Sequence, residues 1–433
     1  MSVTAGHGAA GDGRICGADG EDGAGACPSE PQEERTNGGV PVRQWSAAAR
    51  ERALRERTPV VFENAPSDAW LAHRVLTNPR ALEEVVGPDT PVQVYRGESN
   101  RVLYHKPEMP LAKATEWHQP YEKIMVPARH LVESLVNGKA PDGSYYYHSQ
   151  PPIKEFQPLI GDIEPFSVRH ESNDEFTAKV QTHVWAGCAN MSARVHYDTY
   201  FNFYVQVLGR KRFVLLPPEE WQRMRLFPAM HPSGRQSQSD IFERPPGGPE
   251  PFDVVLEPGQ VLFLPPYWFH QVDAVDVSLS INVWTDSLDQ HLEHFCSYRC
   301  IPGMQDEGLA PLEKVAGVFK LLGLLMRELP TLLEGVRGVL DTQYAVMGAD
   351  KDPDQQCSML QSPVPSRLDA EVRETATMIA SRFREMHSEA VRQIAFSNLV
   401  QTAAYWAVGF ELVQFLTCVE QLGDGRLDQP VLD

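Results

Sequence analysis

The clearest alternation of apolar and polar residues lies near the middle of the chain. Residues 202–207, NFYVQV, are rich in Phe, Tyr and Val and predict a β-strand. Gly209 predicts a turn after this strand, and Lys211, Phe213 and Leu215 then share one face of a second predicted strand. The alternation therefore predicts a β-rich centre in which Lys211 points inward among apolar neighbours.

Helical patterns flank this centre on both sides. Good helix formers occupy residues 42–57 before Pro59, and the helical pattern of residues 128–137 ends at Gly138, a common helix stop. Further helices are predicted over residues 70–86, 312–344 with Pro330 dividing two helices, 368–386 and 390–422. The chain is thus predicted to carry helices before the β-rich centre and a helical region after it.

Residues 1–40 differ in composition from the rest of the chain. Gly, Ala, Asp and Glu dominate this stretch, which has almost no aliphatic or aromatic residues. Such a segment cannot bury enough apolar surface to offset the entropy of ordering it. We therefore predict a disordered acidic tail over residues 1–40.

Composition and charge limit the class of protein. With 22% charged and 42% hydrophobic residues, the chain has the composition of an ordinary globular protein. Its 39 basic and 58 acidic residues give a net charge of -19, which opposes broad binding to nucleic acid or anionic membranes. Seven scattered cysteines do not form the pattern of a secreted disulfide framework and indicate a reducing compartment.

The apolar segments also predict a location. A signal or transit peptide is not expected, because no apolar segment follows a basic start near residue 1. Its longest apolar stretch, residues 315–326, includes Lys320 and is too short to cross a bilayer. A cytoplasmic or nuclear protein that does not contact a membrane is therefore expected.

Three side chains of the β-rich region form a candidate metal site. His196 and Asp198, in RVHYD, share a strand face because side chains alternate along a strand. His270, in LFLPPYWFHQV, brings a third ligand from a distant strand. Two imidazoles and one carboxylate, with the remaining positions open, are the ligand set of non-haem Fe(II) oxygenases.

Lys211 adds a requirement for negative charge near this site. A buried ammonium group needs an anion to offset its desolvation, and a dicarboxylic acid cosubstrate would supply one. The alternative is a lysine whose ammonium group reaches the solvent at the barrel rim.

Three sequence blocks carry a family resemblance: HYDTYFNFYVQVLGRKRFVLLPP, EPGQVLFLPPYWFHQV and SLSINVW. They resemble the JmjC branch of the Fe(II)/2-oxoglutarate dioxygenases, and within it the small hydroxylases of the tRNA wybutosine and hypoxia-inducible-factor asparaginyl types. The resemblance implies a mainly β core, a double-stranded β-helix or JmjC jelly roll, with flanking N-terminal helices and an α-helical C-terminal region. A JmjC catalytic domain with an N-terminal extension is therefore expected at residues 41–290, and the helical periodicity predicts a helical C-terminal region at 291–433.

The resemblance also implies roles for individual residues. Fe(II) would be bound by His196, Asp198 and His270, with 2-oxoglutarate and O2 as cosubstrates. Lys211 would pair with the distal carboxylate of 2-oxoglutarate. Further positions that match the family's cosubstrate pocket are Asn202 and Asn282, around the iron-binding end of the cosubstrate, and Trp284, the aromatic residue that closes the pocket.

Two positions leave the match open. The resemblance places the hydroxyl of Tyr146 beside the pocket lysine, although Tyr145 or Tyr147 could take that register. Ala193 stands where the asparaginyl hydroxylase has a cosubstrate-binding Thr, and Ser192 is one place away. This departure weakens the asparaginyl-hydroxylase assignment more than it weakens the cosubstrate assignment.

The substrate is inferred from charge. Because the chain is acidic and shows no RNA-binding module, we expect a hydroxylase of a protein side chain, acting on a protein or peptide partner. The alternatives are a hydroxylase of a hypermodified tRNA base of the wybutosine type, an N-methyl-lysine demethylase and a non-catalytic cupin, which would lack part of the triad or the lysine. The C-terminal helices predict a homodimer, as in the asparaginyl hydroxylase, and the long loop at 221–253 is expected to cover the site.

Overall fold

Two β-sheets pack face to face at the centre of the protein. The computed structural model describes residues 35–102, 120–168, 176–241, 247–303, 306, 308–349, 351–352, 354–357, 360, 363–409 and 411–427. Side chains of both sheets, including Tyr204 and Leu262 from one and Phe213 and Leu256 from the other, form a shared core between them.

The strands are numbered in chain order. They are β1 Thr36–Asn37, β2 Val40–Gln44, β3 Val60–Glu63, β4 Pro91–Gly97, β5 Arg101–Val102, β6 Tyr121–Pro127, β7 Tyr145–Gln150, β8 Val180–Gly187, β9 Ser192–Tyr197, β10 Tyr200–Leu208, β11 Lys211–Leu216, β12 Phe252–Leu256, β13 Val261–Leu264, β14 Phe269–Ala274 and β15 Ser278–Asp286. The larger sheet has the order β1-β2-β3-β13-β10-β15-β8-β7-β4-β6, and the smaller sheet has the order β12-β11-β14-β9-β5.

The last eight strands form the expected barrel. Strands β8, β10, β13 and β15 belong to the larger sheet, whereas β9, β11, β12 and β14 belong to the smaller one. Pairing among these eight strands is antiparallel throughout. This arrangement is a double-stranded β-helix, so the predicted fold class is confirmed.

Helices lie on both sides of the barrel in the sequence. They are α1 Ala47–Glu56, α2 Leu71–Val75, α3 Pro79–Val86, α4 Ala128–Asn137, α5 Leu288–Arg299, α6 Pro311–Glu328, α7 Leu333–Gly338, α8 Ser366–Glu385, α9 Glu389–Val408 and α10 Leu412–Gly423. A π-helical segment, Val339–Tyr344, continues α7. Short 3-10 turns are formed by Pro66–Ala69, Gln157–Leu159, Glu164–Phe166, Pro218–Glu220, Pro330–Leu332 and Ala345–Met347.

Local signals explain where several helices begin and end. The Ser46 side chain accepts a hydrogen bond from Ala49 N–H and caps α1, which therefore begins later than predicted. Residues 42–44, which precede this cap, instead pair with β3 as part of strand β2. Helix α4 spans the predicted residues and ends at Gly138, whose φ of +77° suits glycine.

Helices of the C-terminal region cover the outer face of the smaller sheet. Val195, Val214 and Phe269, on the outer faces of β9, β11 and β14, belong to one buried cluster with residues of these helices. The apolar stripe of α6 is buried against α8, α9 and α10, and Phe319 at its centre is fully buried. This stripe, from which a homodimer was predicted, is therefore covered by helices of the same chain. Homodimerisation stays a prediction, and other residues would have to form its interface.

Two cysteines are paired, which the cysteine pattern did not predict. Cys357, in the segment before α8, forms a disulfide with Cys418 on α10, whereas Cys188, Cys296 and Cys300 are free and buried. Spacing along the sequence could not show this pairing, because the segment before α8 meets α10 only through the packing of the helical region.

Two further expectations concern the N-terminal tail and membrane-spanning helices. Residues 1–34 lie outside the described residues, so most of the predicted tail does too, whereas Thr36–Asn37 at its end form β1. Within the described ranges, none of the helices combines the length and hydropathy needed to span a bilayer.

Candidate metal centre and its cavity

The three predicted ligands lie together at one end of the barrel. His196 is on β9, Asp198 directly follows that strand, and His270 on β14 is paired opposite His196. The two imidazole centroids are 4.2 Å apart, and His270 Nε2 lies 3.9 Å from Asp198 Oδ2. Their candidate ligand atoms all lie within 4.8 Å of one another. Among the described residues, no other group of three or more His, Cys, Asp or Glu side chains meets so closely.

Backbone contacts orient both imidazoles for metal binding. His196 Nδ1 lies 2.7 Å from the carbonyl oxygen of Arg194, and His270 Nδ1 lies 3.0 Å from that of Trp268. A carbonyl oxygen only accepts, so each Nδ1 carries the proton and each Nε2 keeps a lone pair for a metal ion. Burial, followed by the neighbouring His196, lowers the pKa of His270 to about 4. The neutral form that a metal ion requires is therefore favoured.

Part of the long loop after β11 lies beside these ligands. Ser237 N–H donates to the Val195 carbonyl at 2.8 Å, and Tyr197 N–H donates to the Arg235 carbonyl at 3.2 Å. The Gln236 side chain, between these two contacts, lines the cavity in front of the ligands. This segment of the loop thus lies at the predicted site, as its position in the sequence suggested.

A cavity of about 110 Å³ extends from the triad into the barrel. Its wall includes Tyr147, Trp185, Asn202, Tyr204, Lys211, Phe213, Val272, Asn282 and Trp284. Most of this lining is apolar or aromatic, and the polar groups lie at a few positions. Such a site orients a small molecule by a few directed contacts while excluding water.

Lys211 is buried in this cavity, 7% exposed, and does not reach the rim. Its Nζ donates to Tyr204 Oη at 2.6 Å and to Ser280 Oγ at 3.2 Å. In the part of the chain that the structure describes, no carboxylate forms an ion pair with it. Burial lowers the pKa of Lys211 to about 7. The ammonium group thus lacks the negative partner that would offset its desolvation.

The site residues predicted from the sequence did not include Tyr204 and Ser280, the hydrogen-bond partners of Lys211. Tyr204 lies two residues after Asn202 on β10, and Ser280 lies two residues before Asn282 on β15. Because side chains alternate along a strand, both share the inward face of residues already singled out. Applying that parity to the neighbouring positions would have found them.

Asn202, Asn282 and Trp284 line the same cavity. Asn282 Nδ2 donates to Asn202 Oδ1 at 3.1 Å, and both side chains are buried. Among the described residues, Asn282 Oδ1 and Trp284 Nε1 have no hydrogen-bond partner, nor does Trp185 Nε1 on the adjacent β8. Buried polar atoms normally have partners, so this end of the cavity is suited to a polar ligand.

The expected place of Tyr146 is corrected by the structure. Tyr146 packs into the core on the far face of the larger sheet, whereas Tyr147 lines the cavity and stacks on Tyr95 at 4.7 Å. Successive residues of β7 point to opposite faces, so Tyr146 is turned away from the cavity, and of Tyr145 and Tyr147, which share the other face, only one lines the cavity position. Tyr147, one of the alternatives left open, occupies it.

The departure at Ala193 is also visible in the structure. Ala193 lines the cavity and offers no hydroxyl there. Ser192 does not replace it, because its hydroxyl donates to Asp273 Oδ1 at 2.6 Å, away from the cavity. This wall of the cavity is therefore apolar.

Comparison with known proteins agrees with this geometry. Residues 46–291, more than half of the chain, match the family model described as Cupin-like domain. The tRNA wybutosine-synthesizing protein 4 of Gibberella zeae is 34% identical over 105 residues, covering 24% of this chain and 10% of that protein. The HSPB1-associated protein 1 of Homo sapiens is 35% identical over 120 residues, covering 25% of this chain and 24% of that protein.

A homologue from another vertebrate extends the comparison. The HSPB1-associated protein 1 homolog of Danio rerio is 34% identical over 114 residues, covering 24% of this chain and 25% of that protein. These matches span a quarter or less of each relative, so the relatives contain long regions without a counterpart in the match. The extent of the family match, the double-stranded β-helix and the His-Asp-His cluster together show that the chain belongs to the cupin-like domain family of JmjC type.

Proposed function

We propose that this chain is an Fe(II)- and 2-oxoglutarate-dependent oxygenase that hydroxylates a protein side chain. The observation that carries the proposal is the presence, in one cavity, of the His-Asp-His cluster and a buried lysine that forms no ion pair with a carboxylate of the described residues. The cluster supplies ligands for a metal ion, and the lysine supplies a positive charge for a carboxylate. A non-catalytic cupin has no need to keep both.

The metal would be held by His196, His270 and Asp198. Two neutral imidazoles and one carboxylate leave other coordination positions open, as Fe(II) oxygenases require. When bound, Fe(II) with 2-oxoglutarate and O2 supplies the oxidising chemistry. The protein contributes the orientation of the ligands through the backbone contacts of both histidines.

The cavity suits a five-carbon dicarboxylic acid. Lys211 Nζ and the Tyr204 hydroxyl can donate to the distal carboxylate, and the two Asn amides line the same cavity. Asn202 and Tyr204 are two residues apart on one strand, a rise of roughly 7 Å. That distance is comparable with the length of 2-oxoglutarate. Phe213 and Val272 on the wall exclude water from the charged contact.

The basic residues beside the barrel support a protein substrate over a nucleic acid. Arg210 lies 2.7 Å from Asp276, and Arg212 lies 2.6 Å from Asp253. The two arginines that flank Lys211 are thus already neutralised by acidic partners. With a net charge of -19, the chain offers little positive surface to phosphates.

A second candidate is a hydroxylase of a hypermodified tRNA base. It is favoured by the similarity to proteins named for tRNA wybutosine synthesis, whereas others of the similar proteins are named for association with HSPB1. N-methyl-lysine demethylation remains a third alternative, since it would use the same metal and cosubstrate.

The test is 2-oxoglutarate turnover by the full chain with Fe(II). Succinate formation would be measured with a peptide library, with total tRNA and with methyl-lysine peptides. We expect stimulation by a subset of the unmodified peptides, with a mass gain of one oxygen atom on the peptide. Stimulation by tRNA alone would favour the second candidate, and absence of both metal and 2-oxoglutarate binding would contradict the oxygenase itself.

A further inference from the structure

A chain of hydrogen bonds joins the C-terminal helices to the backbone of the metal-binding turn. Tyr267 N–H donates to the carbonyl oxygen of Asp198 at 2.7 Å, and the Tyr267 hydroxyl donates to Glu293 Oε2 on α5 at 2.5 Å. Asn398 Nδ2 on α9 donates to Glu293 Oε1 at 2.7 Å and to the Tyr197 hydroxyl at 3.2 Å. Tyr197 directly precedes Asp198, so this series of hydrogen bonds reaches the metal-binding turn through both Tyr267 and Tyr197.

The two tyrosines are fixed by packing as well as by these bonds. Both are fully buried, and their rings stack with centroids 5.5 Å apart. Tyr267 has a φ of +66°, which is unusual for a bulky residue. A backbone in this region persists only where the surroundings hold it. Here the surroundings are the Asp198 carbonyl on one side and Glu293 on the other.

Helix α5 has a second contact with the same turn. The Ser287 hydroxyl, which caps the helix by accepting from Gln290 N–H, donates to the carbonyl oxygen of Thr199 at 2.7 Å. Thr199 directly follows Asp198. The metal-binding turn is thus attached to α5 at both of its ends, and α9 is attached to it through Asn398.

We propose that Glu293 and Asn398 are positioning residues for the metal centre, which hold the backbone of Asp198 in place through Tyr267 and Tyr197. This inference rests on the proposed metal-binding function. It gives the helical C-terminal region a role beyond covering the smaller sheet. Neither residue touches the cavity, so their effect on the metal is transmitted through the two tyrosines.

The test uses the full chain and Co(II), which reports coordination by its visible absorption. Glu293→Gln keeps the shape of the side chain but has one carbonyl oxygen for two donors, and Asn398→Ala removes the second donor. We expect each substitution to raise the Kd for Co(II) about tenfold or more and to change the visible spectrum. Far-ultraviolet circular dichroism should be unchanged.

Asp369→Asn is the matched control. Asp369 pairs with the buried Lys320 at 2.8 Å, between α6 and α8 in the same helical region. It should lower the melting temperature while leaving the Kd for Co(II) at the wild-type value. If Glu293→Gln fails to fold, Asn398→Ala and Tyr267→Phe carry the test.

Two results would contradict this inference while leaving the proposed function standing. One is wild-type Co(II) affinity in the folded Glu293 and Asn398 variants, and the other is an equal loss of affinity in Asp369→Asn at equal loss of melting temperature. Failure of the unmodified chain to bind Co(II) or Fe(II) would instead contradict the proposed function, and the inference with it.

Discussion

The ammonium group of Lys211 lies 2.6 Å from the hydroxyl of Tyr204, and that hydroxyl lies 2.6 Å from the hydroxyl of Ser280. Three polar groups from β11, β10 and β15 therefore meet inside the barrel, and only one of them carries a charge. Neutral hydroxyls satisfy the hydrogen bonds of an ammonium group but not its charge. This relationship makes the Lys211 end of the cavity the first place to test for the proposed binding of a carboxylate.

Replacing Lys211 by Met should weaken 2-oxoglutarate binding while metal binding persists. Loss of one charge-assisted contact is worth about 1.5–3 kcal/mol, which corresponds to roughly a 10- to 150-fold rise in the Kd for 2-oxoglutarate. Titration calorimetry with the metal-loaded protein measures it. Arg212→Ala, next to Lys211 but paired with Asp253 outside, is the control and should bind normally. An unchanged affinity in Lys211→Met would remove the assigned role.

The affinity for 2-oxoglutarate should also depend on pH. Burial lowers the pKa of Lys211 to about 7 in the free protein, and a bound carboxylate favours the charged form. Affinity should therefore be full below pH 7 and fall about tenfold per pH unit above it, as the free ammonium loses its proton. Calorimetry at pH 8 in two buffers of different ionisation enthalpy should show proton uptake. Affinity that is flat from pH 6 to 9 would contradict this.

Substituting a metal ligand should abolish both metal binding and turnover. His196→Ala and Asp198→Ala each remove one ligand of three, so neither should bind one Fe(II) per chain or form succinate. Ser192→Ala, on the same strand but facing Asp273, is the matched control and should retain both. Full succinate production by Asp198→Ala would show that the triad is wrongly assigned.

The stripe of α6 should matter for folding and not for association. Phe319 is fully buried against residues of the same chain, including Phe415 at 6.1 Å between ring centroids. Phe319→Ala should lower the free energy of unfolding by about 3–5 kcal/mol, measured by urea denaturation. Leu312→Ala, at a 56% exposed position of the same helix, should change it by less than about 0.5 kcal/mol.

The mass of these variants in solution tests the homodimer separately. Light scattering of the unmodified chain over micromolar concentrations gives the oligomeric state. If a homodimer forms, the folded Phe319→Ala protein should keep the same mass, because that side chain lies inside the subunit. If the Phe319→Ala protein were fully folded but monomeric while the unmodified chain is a dimer, the stripe would instead lie at the interface between subunits.

Binding of tRNA should be weak at physiological salt. Arg210 and Arg212, which flank Lys211, are paired with Asp276 and Asp253, so neither is free to displace counterions from phosphates. Filter binding at low and physiological salt measures this. Sub-micromolar affinity with a steep salt dependence would make the tRNA hydroxylase the better candidate.

Much of the metal centre could be predicted from the sequence because its determinants are local. The parity of a strand brings His196 and Asp198 to one side and puts Lys211 on the same face as Phe213 and Leu215, whatever the rest of the chain does. Helix α4 likewise follows from its own residues and from the glycine after it. The family resemblance then supported the distant His270 as the third ligand and supplied the double-stranded β-helix.

Choices between equivalent neighbours needed the tertiary structure. Tyr145, Tyr146 and Tyr147 are identical in chemistry, and only the pairing of β7 with β4 and β8 decides that Tyr147 faces the cavity. The alternation fixes which residues share a face, but it does not fix which of the two faces lies inward. A shift of one residue exchanges the two.

Partners of apolar and polar side chains were also decided only by the fold. The stripe of α6 shows in the sequence that one face is buried, yet whether the covering surface belongs to the same chain depends on how α8, α9 and α10 pack. The bonds from Glu293 to Tyr267, and from Asn398 to Tyr197, join residues far apart in the sequence. The sequence by itself determined which side chains could bind a metal ion and how apolar residues repeat along each element, because these properties depend on near neighbours. Only the tertiary structure decided which faces meet, because that depends on the packing of the whole chain.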